Sequence, residues 1–248
     1  PFRQPIELQN VDSRVSNIIQ PNSEMWLFQK IRDYIDVIYD IGCSNNSIYV
    51  QFQGEVHYFD PTDRIWQLAS YLATTPDIKN KFYHIRNFGL SSETSSNKMV
   101  TWETGGVIPD NKGNLNYTND ATKMIKTMKA SDYIDLLNTQ APDFVKIDTE
   151  GHELAVLKGF EDNLYNVKVV QFEYGGINWT LGIKMGDIIT YLKNFGFCDF
   201  SYVSRDGLIK VNWSEDFKDH YTYCNIVCFQ KKFLEKIPQD ISLFKSNS

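Results

Sequence analysis

Short apolar runs that end in a polar side chain recur along the chain, with amphipathic stretches between them. Val37-Ile38-Tyr39-Asp40-Ile41-Gly42 is the first, Val56-His57-Tyr58-Phe59-Asp60-Pro61 the second and Phe82-Tyr83-His84-Ile85-Arg86-Asn87 the third. Runs this short, rich in β-branched and aromatic residues, predict buried strands. Between the second and third, residues 64–73 place Ile65, Leu68, Ala69 and Leu72 on one face, the spacing of a helix that covers a sheet. Ser23 followed by 24–31 predicts an N-capped amphipathic helix ahead of the first strand. The alternation resumes with a helix over 131–137, a strand over 144–148, a helix over 153–158 and a strand over 167–173. A break at Gly175-Gly176 precedes a helix over 185–194, and strands over 198–204, 208–212 and 225–230 form a closing antiparallel group. Strand and helix in alternation predict an α/β fold with a mostly parallel sheet. Residues 1–22 are polar and weakly patterned, a terminal arm, and 23–248 form one domain. The segment 91–129 breaks the alternation and carries turn signals at Gly105-Gly106 and Asp110-Asn111-Lys112-Gly113-Asn114, so it is expected to be a hairpin-bearing insertion.

Composition narrows the function. With 25 Lys and Arg against 31 Asp and Glu, the chain carries a net charge of −6. That lacks the basic footprint of a nucleic-acid binder. No apolar run approaches the roughly 18 residues that span a bilayer, and the first residues do not read as a secretion signal. Four cysteines at 43, 198, 224 and 228 are too sparse for a disulfide scaffold and imply a reducing cytoplasm. The chain begins with Pro1 rather than Met, which points to processing or to one domain of a longer multidomain chain.

Ligands of a parallel sheet collect outside the carboxyl ends of the strands, which directs attention to Asp40, Asp60, Asn87, Asp148 and Glu173. Asp60 lies 20 residues after Asp40, the distance at which an acidic group reaches ribose hydroxyls in nucleoside-binding α/β units. The turn after the first strand, Gly42-Cys43-Ser44-Asn45-Asn46-Ser47, has one glycine where a pyrophosphate-binding turn needs three. A cofactor without a pyrophosphate, such as S-adenosylmethionine, meets both conditions, and its cationic groups suit a nearby Asp40. The missing glycines weigh against a nucleotide-linked oxidoreductase. A non-catalytic Rossmann-like binding domain is the other alternative.

Tyr39-Asp40-Ile41-Gly42, Tyr58-Phe59-Asp60-Pro61, Asn87-Phe88-Gly89-Leu90-Ser91 and, most specifically, Phe144-Val145-Lys146-Ile147-Asp148-Thr149-Glu150-Gly151-His152-Glu153 occur in this order. Over about 37–230 the chain resembles the FkbM-type family of class I S-adenosylmethionine-dependent methyltransferases. The resemblance implies a Rossmann-like sheet of seven strands, the last antiparallel, and O-methylation of hydroxyls. It also implies a cofactor turn at Asp40 and Gly42 with Cys43 and Ser44, a ribose ligand at Asp60 beside Pro61, and adenine neighbours at Asn87, Gly89 and Leu90. The sequence departs from the family pattern near Asn46, where a turn glycine is absent, and in a first helix clipped to fit between Ile41 and Glu55.

An alcohol needs its proton removed to attack a methyl group, so a base is expected at the mouth of the fourth strand. Asp148, Glu150 and His152 are the candidates, while Glu153 is placed to support the following helix. Asp148 and Glu173 on adjacent strand ends also suit a hard cation such as Mg2+, a second route to an activated hydroxyl. Glu173, Tyr174, Trp179 and Trp102, with Tyr117 and Asn178, are expected to meet the acceptor. A sugar or glycan hydroxyl is the favoured acceptor and a polyketide or other small-molecule alcohol the second, with the insertion placed to cover it.

Overall fold

In the computed structural model, residues 23–78, 82–101, 107–109, 122–205, 207–211, 222–237 and 243 are described. The chain enters through helix α1 (Ser23–Ile31), strand β1 (Val37–Ile41), strand β2 (Glu55–Phe59), helix α2 (Ile65–Thr74), strand β3 (Phe82–Arg86) and the two-residue strand β4 (Gly89–Leu90). Strands β5 (Ser95–Thr101), β6 (Val107–Pro109) and β7 (Thr122–Met128) lead to helix α3 (Ala130–Leu137), strand β8 (Phe144–Ile147), helix α4 (Glu153–Phe160) and strand β9 (Val169–Tyr174). Helices α5 (Gly176–Leu181) and α6 (Met185–Lys193) precede strands β10 (Phe197–Val203), β11 (Leu208–Lys210) and β12 (Cys224–Gln230) and helix α7 (Lys231–Leu234).

The main sheet runs β11-β10-β12-β9-β8-β1-β2-β3. Strands β3, β2, β1, β8 and β9 are mutually parallel, and β12 inserts antiparallel to both β9 and β10. This is the expected Rossmann-like order with one addition. The sheet has eight strands rather than seven, because β11 pairs antiparallel on the outer edge of β10. Residues 208–212 read as a strand from their own pattern, so the eighth strand departs from the resemblance and not from the residues.

The pleat sends alternate residues to opposite faces, and each face finds helices. Tyr39, Ile41, Val145, Ile147, Val170 and Phe172 pack against Ala130 and Ile134 of α3, Val156 and Leu157 of α4 and Ile188 of α6. Ile38, Val56, Tyr58, Phe144, Val169 and Phe229 pack against Leu27 and Phe28 of α1, Leu68 of α2 and Phe233 of α7. The helix expected between β1 and β2 is one turn of 3-10 helix, Ile48–Gln51. The Gly175-Gly176 pair does not interrupt regular structure for long, since α5 begins at Gly176.

Within the insertion, β5 pairs antiparallel with β6 and β7, and β7 runs parallel to β4, making a separate sheet of order β4-β7-β5-β6. Trp102 and Tyr117, expected to meet the acceptor, fall outside the described residues, as do the arm over 1–22 and the turns at 105–106 and 110–114. No helix among the described residues is long and apolar enough to cross a membrane. Cys43, Cys224 and Cys228 are buried free thiols, whereas Cys198 is exposed.

Candidate active site

Register brings the chemistry together. Asp40 of β1 pairs with Lys146 of β8, and Lys146 pairs with Gln171 of β9, so three polar side chains form a row on the face covered by α1. One step toward the carboxyl ends of the strands, Asp148 and Glu173 continue the same face, and Glu173 pairs with Asn225 of β12. Lys146 is buried and its Nζ lies 2.9 Å from Asp148 Oδ2 and 3.5 Å from Glu24 Oε1 at the start of α1. Burial opposes its charge, but Asp148, Glu24 and Asp40 outweigh that and hold the ammonium well above the usual lysine range. Gln171 Nε2 donates to Glu24 Oε1 at 2.6 Å and to Asn225 Oδ1 at 3.1 Å, tying α1 to both strands.

Ligand oxygens of Asp148, Glu150 and Glu173 lie within 4.8 Å of one another. Burial, then the charges of Asp148 and Glu150, push Glu173 up to about 9, so it carries a proton at neutral pH. Burial, then Asp148 and Glu153, raise Glu150 as well. Glu150 sits at φ +53°, a left-handed conformation that a side-chain-bearing residue rarely adopts. That strain, in the turn leaving β8, presents its carboxylate to the cluster.

Glu153 is buried and structural: Oε1 accepts from Thr149 N, Thr149 Oγ1 and Gly151 N at 2.9–3.2 Å, and Oε2 accepts from Asn178 Nδ2 at 2.9 Å. Asn178 is consumed in the same way, its Oδ1 accepting from Gly175 N. His152 stands apart from the three carboxylates, with Nε2 2.9 Å from Ser91 Oγ, and burial lowers it to about 4, so the ring is neutral.

The turn expected to hold the cofactor is built from β1 and β2. Gly42 adopts φ +82°, and its N–H donates to Phe59 O at 2.8 Å. A Cβ here would lie 1.8 Å from the Asp148 carbonyl oxygen, so the glycine lets the β1 turn approach the end of β8. Ser44, also left-handed at φ +53°, donates its N–H to Asp60 Oδ2 at 2.9 Å. Asp60 Oδ1 accepts from Thr62 N at 2.8 Å and from Thr62 Oγ1 at 2.5 Å. Three of the carboxylate's roughly four acceptor positions are thereby used. Asn87 Nδ2 donates to Asp60 O and Thr62 O, which fixes this loop against the end of β3. Asp40 is buried, receives Ser47 Oγ at 2.5 Å, and is raised to about 7 by burial against the opposing pull of Lys146 and Ser47.

Other expected contacts divide. Cys43 is buried with Sγ toward Phe59 O, and Leu90 belongs to the core, while Pro61 and Gly89 lie partly exposed against one another. Tyr174, expected at the acceptor, is fully buried with its hydroxyl 3.4 Å from Ile183 O, because it alternates with Glu173 and faces the opposite side of the sheet. Trp179 falls in α5. Tyr223, not anticipated, stands 44% exposed with its ring over Gly175, where a Cβ would meet it at 2.5 Å. Burial, then Glu150, Glu173, Asp148 and Glu153, raise its phenol. Lys146, Glu24 and Gln171 were also missed, although a lysine inside the apolar run 144–147 signals a buried charge that needs partners.

Known proteins are similar to this chain in sequence, and solved structures superpose on it in part. A hexuronic acid methyltransferase, AglP, of Haloferax volcanii is 30% identical over 86 residues, which cover 35% of this chain and 34% of that protein. The match thus spans about a third of the curated relative's length. A crystal structure of methyltransferase FkbM from Methylobacillus flagellatus KT superposes with a TM-score of 0.48 at 16% identity, over 86% of this chain and 49% of the other. Magnesium protoporphyrin IX methyltransferase from Synechocystis PCC 6803, crystallised with bound SAM, superposes with a TM-score of 0.44 at 11% identity, over 93% and 87% of the two chains. The model of the FkbM methyltransferase domain matches residues 41–198, well over half of the 248 residues, and the chain belongs to that family.

Proposed function

We propose that the protein transfers a methyl group from S-adenosylmethionine to a hydroxyl of a sugar or glycan, with Glu150 as the base. The observation that carries this reading is the convergence of Asp148, Glu150 and Glu173 at the carboxyl ends of β8 and β9. When bound, S-adenosylmethionine supplies a methyl on a cationic sulfonium. The residues suit such a group: Glu24, Asp40, Asp148 and Glu150 gather around a single ammonium, Lys146, so carboxylates outnumber cations there. Asp60 keeps one acceptor position for a ribose hydroxyl.

The three carboxylates divide the work. Asp148 is held by Lys146 at 2.9 Å and orients. Glu173 is protonated at neutral pH and can donate to an acceptor oxygen. Glu150 has no cation at hydrogen-bonding distance among the described residues, and burial raises it, which makes it a stronger base. With the methyl donor bound, Glu150 would take the proton of the acceptor hydroxyl as that oxygen receives the methyl group, while Asp148 and Glu173 would orient the acceptor.

The exposed Tyr223 ring over Gly175, just past the strand that carries Glu173, supports a sugar acceptor, since a pyranose offers an apolar face for an aromatic ring and hydroxyls for carboxylates. The sugar chemistry named for the Haloferax relative agrees with this class. A second reading, Mg2+ held by Asp148, Glu150 and Glu173, rests on the same convergence.

The test follows a labelled methyl group from S-adenosylmethionine onto neutral sugars, uronates and macrolide alcohols, with and without chelator. Transfer to sugars that survives chelation and is lost in Glu150→Gln supports the proposal. Transfer to the alcohols alone, or loss in chelator with rescue by Mg2+, overturns the acceptor or the base respectively.

A further inference from the structure

Three side chains of metal-binding type converge away from the carboxylate cluster. Glu55 and His57 stand two residues apart on β2, so the pleat points both to one face, and His84 of β3 is the register partner of His57. Glu55 Oε1 lies 2.8 Å from His57 Nε2 and 2.9 Å from His84 Nε2. The imidazoles stack with centroids 4.3 Å apart, and the ligand atoms all fall within 4.8 Å of one another. His57 is buried, whereas the Glu55 and His84 side chains are each 37% exposed, which leaves a path from solvent. Glu55 opens β2 and Asp60 follows its end, so this cluster lies at the far end of the strand from the cofactor turn.

The hydrogen bonds determine where the protons are. Arg86 Nε donates to the Tyr133 hydroxyl at 2.7 Å. Tyr133 therefore offers its own proton to His57 Nδ1, 2.7 Å away, and the His57 proton is left on Nε2, aimed at Glu55. Arg86 Nη2 faces His84 Nδ1 at 3.4 Å, which places the His84 proton on Nε2 as well. One carboxylate oxygen thus receives two N–H groups, and Arg86, Tyr133, His57, Glu55 and His84 close a ring.

We propose that Glu55, His57 and His84 bind a divalent transition metal of the zinc class at a site separate from methyl transfer. Two imidazoles and a carboxylate are a donor set that such an ion takes, with solvent in the fourth position. Metal–ligand bonds of about 2.0–2.2 Å put tetrahedral ligand atoms roughly 3.3 Å apart, so the present contacts open by about half an ångström. Binding moves each imidazole proton from Nε2 to Nδ1 without net release. His57 Nδ1–H then donates to the Tyr133 oxygen, and His84 Nδ1–H displaces the Arg86 Nη2 contact. Arg86 is the natural competitor: its charge opposes the ion, and its contact must be surrendered.

The full chain, stripped with chelator, is titrated with Co2+ and read by visible absorption, with Zn2+ competing. One saturable tetrahedral site is expected, weakened at least about tenfold in Glu55→Gln and in His84→Asn. Arg86→Met is expected to tighten binding about tenfold, from removal of one unit charge roughly 6 Å from a divalent ion in a water-like dielectric. His57 stays intact throughout because it is buried. Circular dichroism checks each fold, and S-adenosylhomocysteine affinity should stay within about threefold of wild type. Absence of a saturable site overturns the proposal. So does binding indifferent to both Glu55→Gln and His84→Asn, weakened by Arg86→Met, or lost in Glu150→Gln, which would assign the ion to the other cluster.

Discussion

Glu173→Gln is expected to stabilise the ligand-free protein at neutral pH. The folded protein raises this carboxyl from 4.5 to about 9 by burial and by the charges of Asp148 and Glu150. Between those values the folded state keeps a proton that the unfolded chain has released, so stability falls as pH rises through the window. One pH unit is worth about 1.4 kcal/mol, and from 4.5 to pH 7 the cost reaches at most about 3 kcal/mol. Partial exposure and screening reduce this to about 1–2 kcal/mol. Glutamine has nearly the same shape and no proton to lose, so the variant should gain that amount at pH 7 and almost nothing at pH 4. Urea unfolding midpoints of both proteins across pH 4–9 measure the difference directly. A variant destabilised equally at every pH would refute the reasoning, because Glu173 would then be holding the fold through contacts and not opposing it through charge.

Lys146→Met should destabilise by about 3–5 kcal/mol, because it leaves Asp148, Glu24 and Asp40 without their shared cation; denaturant unfolding reads it, and a loss under 1 kcal/mol would show that the pair contributes little. Gly42→Ala should cost about 2 kcal/mol or more through its collision with the Asp148 carbonyl and its left-handed backbone, and S-adenosylhomocysteine affinity should fall with it. His152 is lowered to about 4 by burial, so its contribution to stability is present above 6.5 and is lost as pH falls toward 4; His152→Gln should flatten that part of the stability profile.

The order and boundaries of the main-sheet elements were legible in the sequence because nearly all of them are short apolar runs or 3.6-period stretches. Their register was not. Asp40, Lys146 and Gln171 lie more than a hundred residues apart at the extremes, and only pairing of β1, β8 and β9 sets them side by side. Asp148, Glu150 and Glu173 were legible as strand-end acids, since the topology of a parallel sheet gathers such ends. Tyr174 was misplaced for a one-residue reason: strand period two sends it opposite to Glu173. Tyr223 escaped notice because it precedes a closing strand, and its place over Gly175 depends on β12 inserting between β9 and β10.

Calorimetric titration of S-adenosylhomocysteine into wild type, Asp60→Ala and Glu150→Gln tests the central claim, that cofactor and base are separate parts of one methyl-transfer site. Wild type should bind one equivalent, and Asp60→Ala should lose about 1–3 kcal/mol as a ribose acceptor and the Ser44–Thr62 turn are lost together. Glu150→Gln should bind as wild type does. No binding by the wild type, or equal binding by Asp60→Ala in a folded state, would contradict the account.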